Sequence, residues 1–185
     1  MNDSQIIELL FDRSEQAITA LSQKYGKICT KIAMDILNDP LDAEECVNDT
    51  YLGVWNSIPP QRPDPLIAYV CRIARNLSIK RYRANTAQKR QSNYALALDE
   101  LQDCIPADQT VEEEYAAREL ARLLNAFLAT LDADNRVIFV RRYWYSESVT
   151  DIAAAFEATP HYISVRLGRT REKLKKYLRK EGVLL

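Results

Sequence analysis

A chain of 185 residues has room for one or two compact domains and excludes a longer array of modules. Some 47% of it is apolar, enough for ordinary cores, yet no apolar run approaches the roughly 20 residues that cross a bilayer, so membrane insertion is not expected. Basic and acidic residues nearly cancel, 25 against 26 for a net charge of −1; the total selects no partner, but the distribution along the chain does.

The four cysteines, Cys29, Cys46, Cys71 and Cys104, are scattered without a CxxC pair and are accompanied by a single histidine. Close-spaced ligands are missing, so no metal and no other cofactor is expected. The N-terminus lacks the apolar core of a secretory leader, and the expected setting is the reducing cytoplasm. Only four glycines occur and apolar residues recur at helical spacing, so the expected fold is all-α. Two small helical domains, 1–85 and 114–185, are expected on either side of a flexible linker over 86–113.

The first helical block runs from about Ser4 to Ala84. Ala17, Leu21, Tyr25, Ile28 and Ile32 recur at helical spacing between Asp12 and Met34, and Asn38-Asp39-Pro40 breaks the pattern. A second helix spans Leu41 to Asn56. Ala43, Val47, Thr50 and Val54 share its inner face; Asp42, Glu45, Asp49 and Leu52 share the outer one. No Lys or Arg occurs from Ile32 to Gln61, so this helix is acidic, and an apolar Leu52 on an acidic stripe suits a basic protein partner. A solvated acidic face is the plain alternative.

Ser57 to Pro65 holds four prolines and must be a loop. Pro65 then opens a helix to about Arg83. Cys71 to Gln91 contains no acid but seven basic residues. Leu66, Ile67, Val70, Ile73, Ala74 and Leu77 fall on one side of this helix, and Arg72, Arg75, Asn76, Lys80 and Arg83 on the other. Tyr69 lies at the seam and Tyr82 near the end. Aromatics beside cations suit unstacked single-stranded bases, since stacking needs a π-face and the backbone needs positive charge. Half-buried packing is the alternative for each tyrosine.

Thr86 to Glu113 has weak periodicity, Pro106 and an acidic tilt, as a linker would. Helical spacing returns with Leu120, Leu123, Leu124, Phe127, Leu128 and Leu131. Further helices are expected over Asp132–Tyr145, Ser148–Phe156 and Pro160 to about Arg179. The last two form a helix-turn-helix. Ala153, Ala154 and Ala155 allow a close crossing, Thr159 is a good N-cap, and Pro160 fits the first helical position. Ile163, Leu167, Thr170 and Leu174 form the inner face. His161, Val165, Gly168 and Arg169 form the outer one, flanked by Tyr162 and Arg166. Such a face suits a major groove, where Arg pairs with guanine and Val165 meets a thymine methyl.

Taken in order, these pieces resemble the extracytoplasmic-function group of the sigma-70 family. Asp42-Ala43-Glu44-Glu45-Cys46-Val47-Asn48-Asp49-Thr50-Tyr51-Leu52-Gly53-Val54-Trp55 resembles its region 2.2, which docks on the coiled coil of the RNA polymerase β′ subunit. Ala68-Tyr69-Val70-Cys71-Arg72-Ile73-Ala74-Arg75-Asn76-Leu77-Ser78-Ile79-Lys80-Arg81-Tyr82-Arg83 resembles regions 2.3 and 2.4, which open and read the −10 element. Leu131 to Arg142, Thr150-Asp151-Ile152-Ala153 and Arg166-Leu167-Gly168-Arg169-Thr170-Arg171-Glu172-Lys173-Leu174 resemble region 4, which reads the −35 element and touches the β flap. Cys46, Asn48, Asp132 and Glu157 depart from residues common in the family: Leu, Gln, Pro and Gly.

The resemblance implies a sigma factor rather than an enzyme. Asp42, Glu45, Asn48, Asp49 and Leu52 would bind core polymerase. Tyr69, Arg72, Arg75, Asn76, Lys80 and Arg83 would take the −10 region. Thr159, His161, Tyr162, Ser164, Val165 and Arg169 would lie against the −35 element, with Arg166, Arg171 and Lys173 on phosphates. Promoter DNA, the β′ coiled coil, the β flap and an anti-sigma factor are the implied partners, and the nucleoid is the implied place of work. Two rivals remain at this point: a stand-alone helix-turn-helix regulator, and an enzyme acting on nucleic acid.

Overall fold

In the computed structural model, residues 1–85, 92–101, 104 and 113–183 are described; among them there are helices and no strand. The chain divides into two units, Met1–Ala95 and Leu96–Leu185. Among the described residues no helix is long and apolar enough to cross a membrane, and no group of side chains is arranged to hold a metal ion.

The first unit contains α1 (Asp3–Phe11), α2 (Gln16–Leu37), α3 (Pro40–Ser57) and α4 (Leu66–Ala84). The break at Asn38-Asp39-Pro40 has a local cause. Asn38 takes a left-handed conformation (φ 53°) that ends α2. The carboxylate of Asp39 then accepts from the N–H groups of Leu41 and Asp42 at 3.0 and 2.9 Å, and Pro40 stands in the first turn of α3. This two-residue joint folds α3 back on α2, and α4 packs against both.

The expected inner face of α3 is the one that is buried: Ala43, Val47, Thr50 and Val54. Leu66, Val70 and Ala74 of α4 and Leu21, Cys29, Ile32 and Ile36 of α2 complete the core with them. Buried hydroxyls need partners. Thr50 donates to the Cys46 carbonyl at 2.7 Å and Ser78 to that of Ala74 at 2.8 Å. Gly53 has its own reason: a Cβ there would lie 3.1 Å from Cγ2 of Ile73, so a side chain would press on α4.

The expected linker contains a helix, α5 (Asn93–Leu101). Two alanines and three leucines in nine residues favour helix, and the Ser92 hydroxyl caps it by accepting from Ala95 N–H at 3.1 Å. The remainder of the linker expectation, 86–91, 102–103 and 105–112, falls outside the described residues. Tyr94 meets Tyr82 edge-on, with ring centroids 5.0 Å apart.

The second unit holds α6 (Glu113–Thr130), α7 (Ala133–Tyr143), α8 (Val149–Ala155) and α9 (Pro160–Lys180). Its core joins Leu123 and Phe127 of α6 to Ile138 and Phe139 of α7, Ile152 and Ala153 of α8, and Ile163, Leu167, Leu174 and Leu178 of α9. Asp132, where the family commonly has proline, caps α7 by accepting from Asn135 N–H at 2.9 Å.

The turn between α8 and α9 explains another departure. Glu157 is left-handed (φ 50°), and the Ala158 and Glu157 N–H groups donate to the carbonyls of Ala153 (2.9 Å) and Ala154 (3.3 Å). This is the C-terminal motif that glycine serves best, because a Cβ is strained in that conformation. The turn therefore forms despite Glu157. Glu157→Gly should stabilise the second unit by about 0.5–1 kcal/mol, read from the urea midpoint; a destabilised variant would contradict the backbone described here. Thr159 and Pro160 then start α9 as expected, with the threonine Oγ1 accepting from Tyr162 N–H at 3.2 Å.

Candidate functional site

Three surfaces carry the candidate residues. The first is the outer face of α3. Glu45, Asn48, Asp49 and Leu52 are all exposed there, as expected. Asp42 is not available in the same way. Its carboxylate accepts two hydrogen bonds from the Arg81 guanidinium, at 2.8 and 3.0 Å, and one from Asn85. Its side chain is only 17% exposed. Arg81 also pairs with Glu45. Asp42 is thus a tie between α3 and α4 rather than an open docking group. In its place the structure adds Leu41, 79% exposed, which stands with Glu45, Asn48 and Leu52 on a single stripe. The helix is expected from Leu41, but its faces are read from Asp42 and Ala43 onward, and exposure alone reveals the role of Leu41.

The second surface is α4. Arg72, Asn76, Lys80 and Arg83 are exposed on one side, and Arg75 is half-buried. Burial holds the Arg75 guanidinium below its ordinary pKa. Tyr69 departs from expectation. Only 9% of it is exposed, and the Arg72 guanidinium lies 5.1 Å from its ring centroid. A ring packed in this way offers no open face for a base, so in this conformation Tyr69 is a packing residue. Tyr82 is equally buried, against Tyr94. The loop before α4 is pinned to α1: Arg62 pairs with Glu8 at 2.7 Å and covers the ring of Phe11 at 4.0 Å.

The third surface is α9. His161, Tyr162, Ser164, Arg169 and Lys173 are exposed, Val165 is half-buried, and Ile163, Leu167, Thr170 and Leu174 face inward as their spacing requires. Two arginines are otherwise engaged. Arg166 donates to the Asn135 side chain at 2.9 Å and to the Tyr162 hydroxyl at 3.2 Å, and lies 3.4 Å from Asp132. It braces the start of α7 against α9 and is not an open phosphate contact. Arg171 pairs with Glu100 at 3.0 Å and with the Tyr143 hydroxyl at 2.8 Å. Apart from Tyr162, four residues before Arg166, these partners lie 28 to 71 residues away, and sequence spacing could not show them. Glu172, exposed one turn beyond Gly168, puts an acid on the same side as Arg169 and confines the cationic part of that face.

Residues 21–88 match the model of sigma-70 region 2, the segment that includes most of α2, α3 and α4. Over 166 residues the chain is 26% identical to the ECF RNA polymerase sigma factor SigL of Mycobacterium tuberculosis, an alignment that spans 89% of this chain and 90% of the relative. The chain thus carries a sigma-70 region 2 segment and is similar over most of its length to an extracytoplasmic-function (ECF) sigma factor. The same match is found to SigL of strains CDC 1551 and H37Rv. A solved structure of CnrH in complex with the cytosolic domain of CnrY aligns over 96% of this chain and 97% of that one, at 21% identity and a TM-score of 0.44. The region 2 match falls on the helices that carry the acidic stripe and the α4 cations, so both lie inside the matched segment.

Proposed function

We propose that the protein binds core RNA polymerase through α3 and directs it to promoters whose −10 and −35 elements are taken by α4 and α9. One observation carries this reading: a single small unit presents an acidic stripe bearing two exposed leucines on α3 and a separate cationic face on α4. The first suits a basic protein surface with an apolar centre, and the second suits a nucleic-acid backbone.

On this reading Glu45, Asn48, Asp49, Leu41 and Leu52 meet the β′ coiled coil. Arg72, Arg75, Asn76, Lys80 and Arg83 hold the opened −10 strand. His161, Tyr162, Ser164, Val165 and Arg169 lie against −35 bases, Lys173 contacts phosphate, and the second unit also meets the β flap. Thr159, spent as the helix cap, aims the start of α9 at the groove. An anti-sigma factor covers these faces when the protein is idle, and the work is done in the cytoplasm at the nucleoid.

Two variants test the division of labour. Asp49→Lys should weaken binding of fluorescently labelled protein to purified core at least about tenfold, because it sets a cation against a basic surface. Lys80→Glu should leave core affinity intact and remove permanganate-reactive thymines from the initiation complex. Unchanged core binding by Asp49→Lys would sink the assignment of α3, and unchanged melting by Lys80→Glu that of α4.

A further inference from the structure

Glu100 stands near the end of α5, and both of its carboxylate oxygens are occupied within the second unit. Oε1 accepts from Arg142 Nη2 and Nε at 2.7 and 3.2 Å. Oε2 accepts from the Tyr143 hydroxyl at 2.8 Å and from Arg171 Nη1 at 3.0 Å. The side chain of Arg142 is 3% exposed, and its remaining Nη1 donates to the Glu147 carbonyl at 2.9 Å. Two guanidinium groups and a phenol therefore converge on one anion.

The ordinary account of such a cluster is a structural ion pair. Two features argue for more. A forked pair of arginines with a hydroxyl between them matches the oxygens of a phosphate at least as well as those of a carboxylate. Moreover, Arg171 belongs to α9, whose exposed Arg169 and Lys173 flank it in sequence. The start of α5 is buried through Tyr94 and Ala95, but the half that supplies the carboxylate is lightly held. Of its side chains only Ala97 and Leu101 join the core of the second unit, while Leu96 and Leu98 are about half exposed on its outer side (50% and 46%). The ionic contacts of Glu100 thus make up a large part of what holds this second half of α5 to the second unit.

We propose that Arg142, Tyr143 and Arg171 form an anion site for a nucleic-acid phosphate, and that Glu100 fills it from within, so that the second half of α5 must leave before the second unit binds duplex DNA at full strength. The proposal rests on the reading of that unit as a duplex-binding domain. It supplies a reason within the chain for weak DNA binding by the free protein: a ligand that must displace an internal group binds with an affinity reduced by the fraction of open molecules.

The test is fluorescence anisotropy of a labelled mixed-sequence duplex at low salt, using the full chain. Glu100→Gln should bind about fivefold more tightly than wild type, with a salt dependence steeper by about one to two released ions, because two guanidinium groups become available. Asp99→Asn removes the same charge one residue away on the exposed side of α5; it should change affinity less than about twofold. Leu101→Ala loosens α5 without altering charge and should act in the same direction as Glu100→Gln, which covers the case that Glu100→Gln destabilises the unit. Adding Arg171→Gln to Glu100→Gln should abolish the gain. Equal affinities for Glu100→Gln, Leu101→Ala and Asp99→Asn would overturn the proposal while leaving the duplex reading intact. If Arg169→Gln binds duplex as wild type does, the duplex reading itself fails, and the proposal with it.

Discussion

Replacing Leu41 and Leu52 together by alanine should weaken core-polymerase binding about a hundredfold and leave the protein's thermal stability unchanged. Both side chains stand out from α3, 79% and 55% exposed, so neither contributes to the core of the first unit. They lie 11 residues apart, about 16 Å along the axis of one helix face. Between them Glu45 and Asn48 complete the stripe. Truncating two leucines that a partner covers forfeits about 3 kcal/mol, which is about two decades in a dissociation constant. Surface leucines exchanged for alanine on a helix have almost no propensity cost. Titration of labelled core, alongside a circular-dichroism melt, separates the two effects. Full core affinity in the double variant would mean that α3 is not the docking helix.

The largest expected effect on stability lies in the second unit. Ile163 is fully buried on the inner face of α9, in the cluster that also contains Ile138, Ile152 and Leu167. Ile163→Ala should cost about 2–5 kcal/mol through lost transfer energy and the cavity left behind. For a unit of this size that corresponds to a fall of about 10–40 °C in its melting temperature. Hydrogen exchange resolved along the chain should show loss of protection in α7, α8 and α9 and none in α2, α3 and α4, whose core contains no residue of that cluster. A loss spread evenly over both units would contradict the two-unit division, and a cost below about 1 kcal/mol would contradict the packing of α9.

Much of the framework was legible in the sequence because it follows from periodicity and local chemistry. Ala43, Val47, Thr50 and Val54, and likewise Ile163, Leu167, Thr170 and Leu174, can face a core only if they share one side of a helix, and all eight are buried. The joints at Asn38-Asp39-Pro40 and Thr159-Pro160 were legible for the same reason: a cap acts on N–H groups two or three residues away.

Tertiary engagement was not legible. Asp42, Arg166 and Arg171 have the residue types that a binding surface needs, but each is occupied by a partner distant in sequence: Arg81, Asn135 and Glu100. Tyr69 sits at the seam of an amphipathic helix, where position on the wheel does not fix depth, and the packing of α4 decides it. The helix α5 escaped notice because nine residues give barely two and a half turns of pattern, and its acids read as linker. Leu41 opens the expected helix but is left off its outer face, because the position of a first-turn residue relative to the core is not fixed by periodicity.

The central claim is that this protein gives core polymerase its choice of start site. The most direct measurement is in vitro transcription with purified core on a promoter library, with RNA 5′ ends mapped in the presence and absence of the protein. The expected result is a set of discrete start sites that appear only with the protein, share −10 and −35 sequences, and vanish with Asp49→Lys. Transcription independent of the protein, together with tight duplex binding in the absence of polymerase, would contradict it and leave a stand-alone helix-turn-helix regulator.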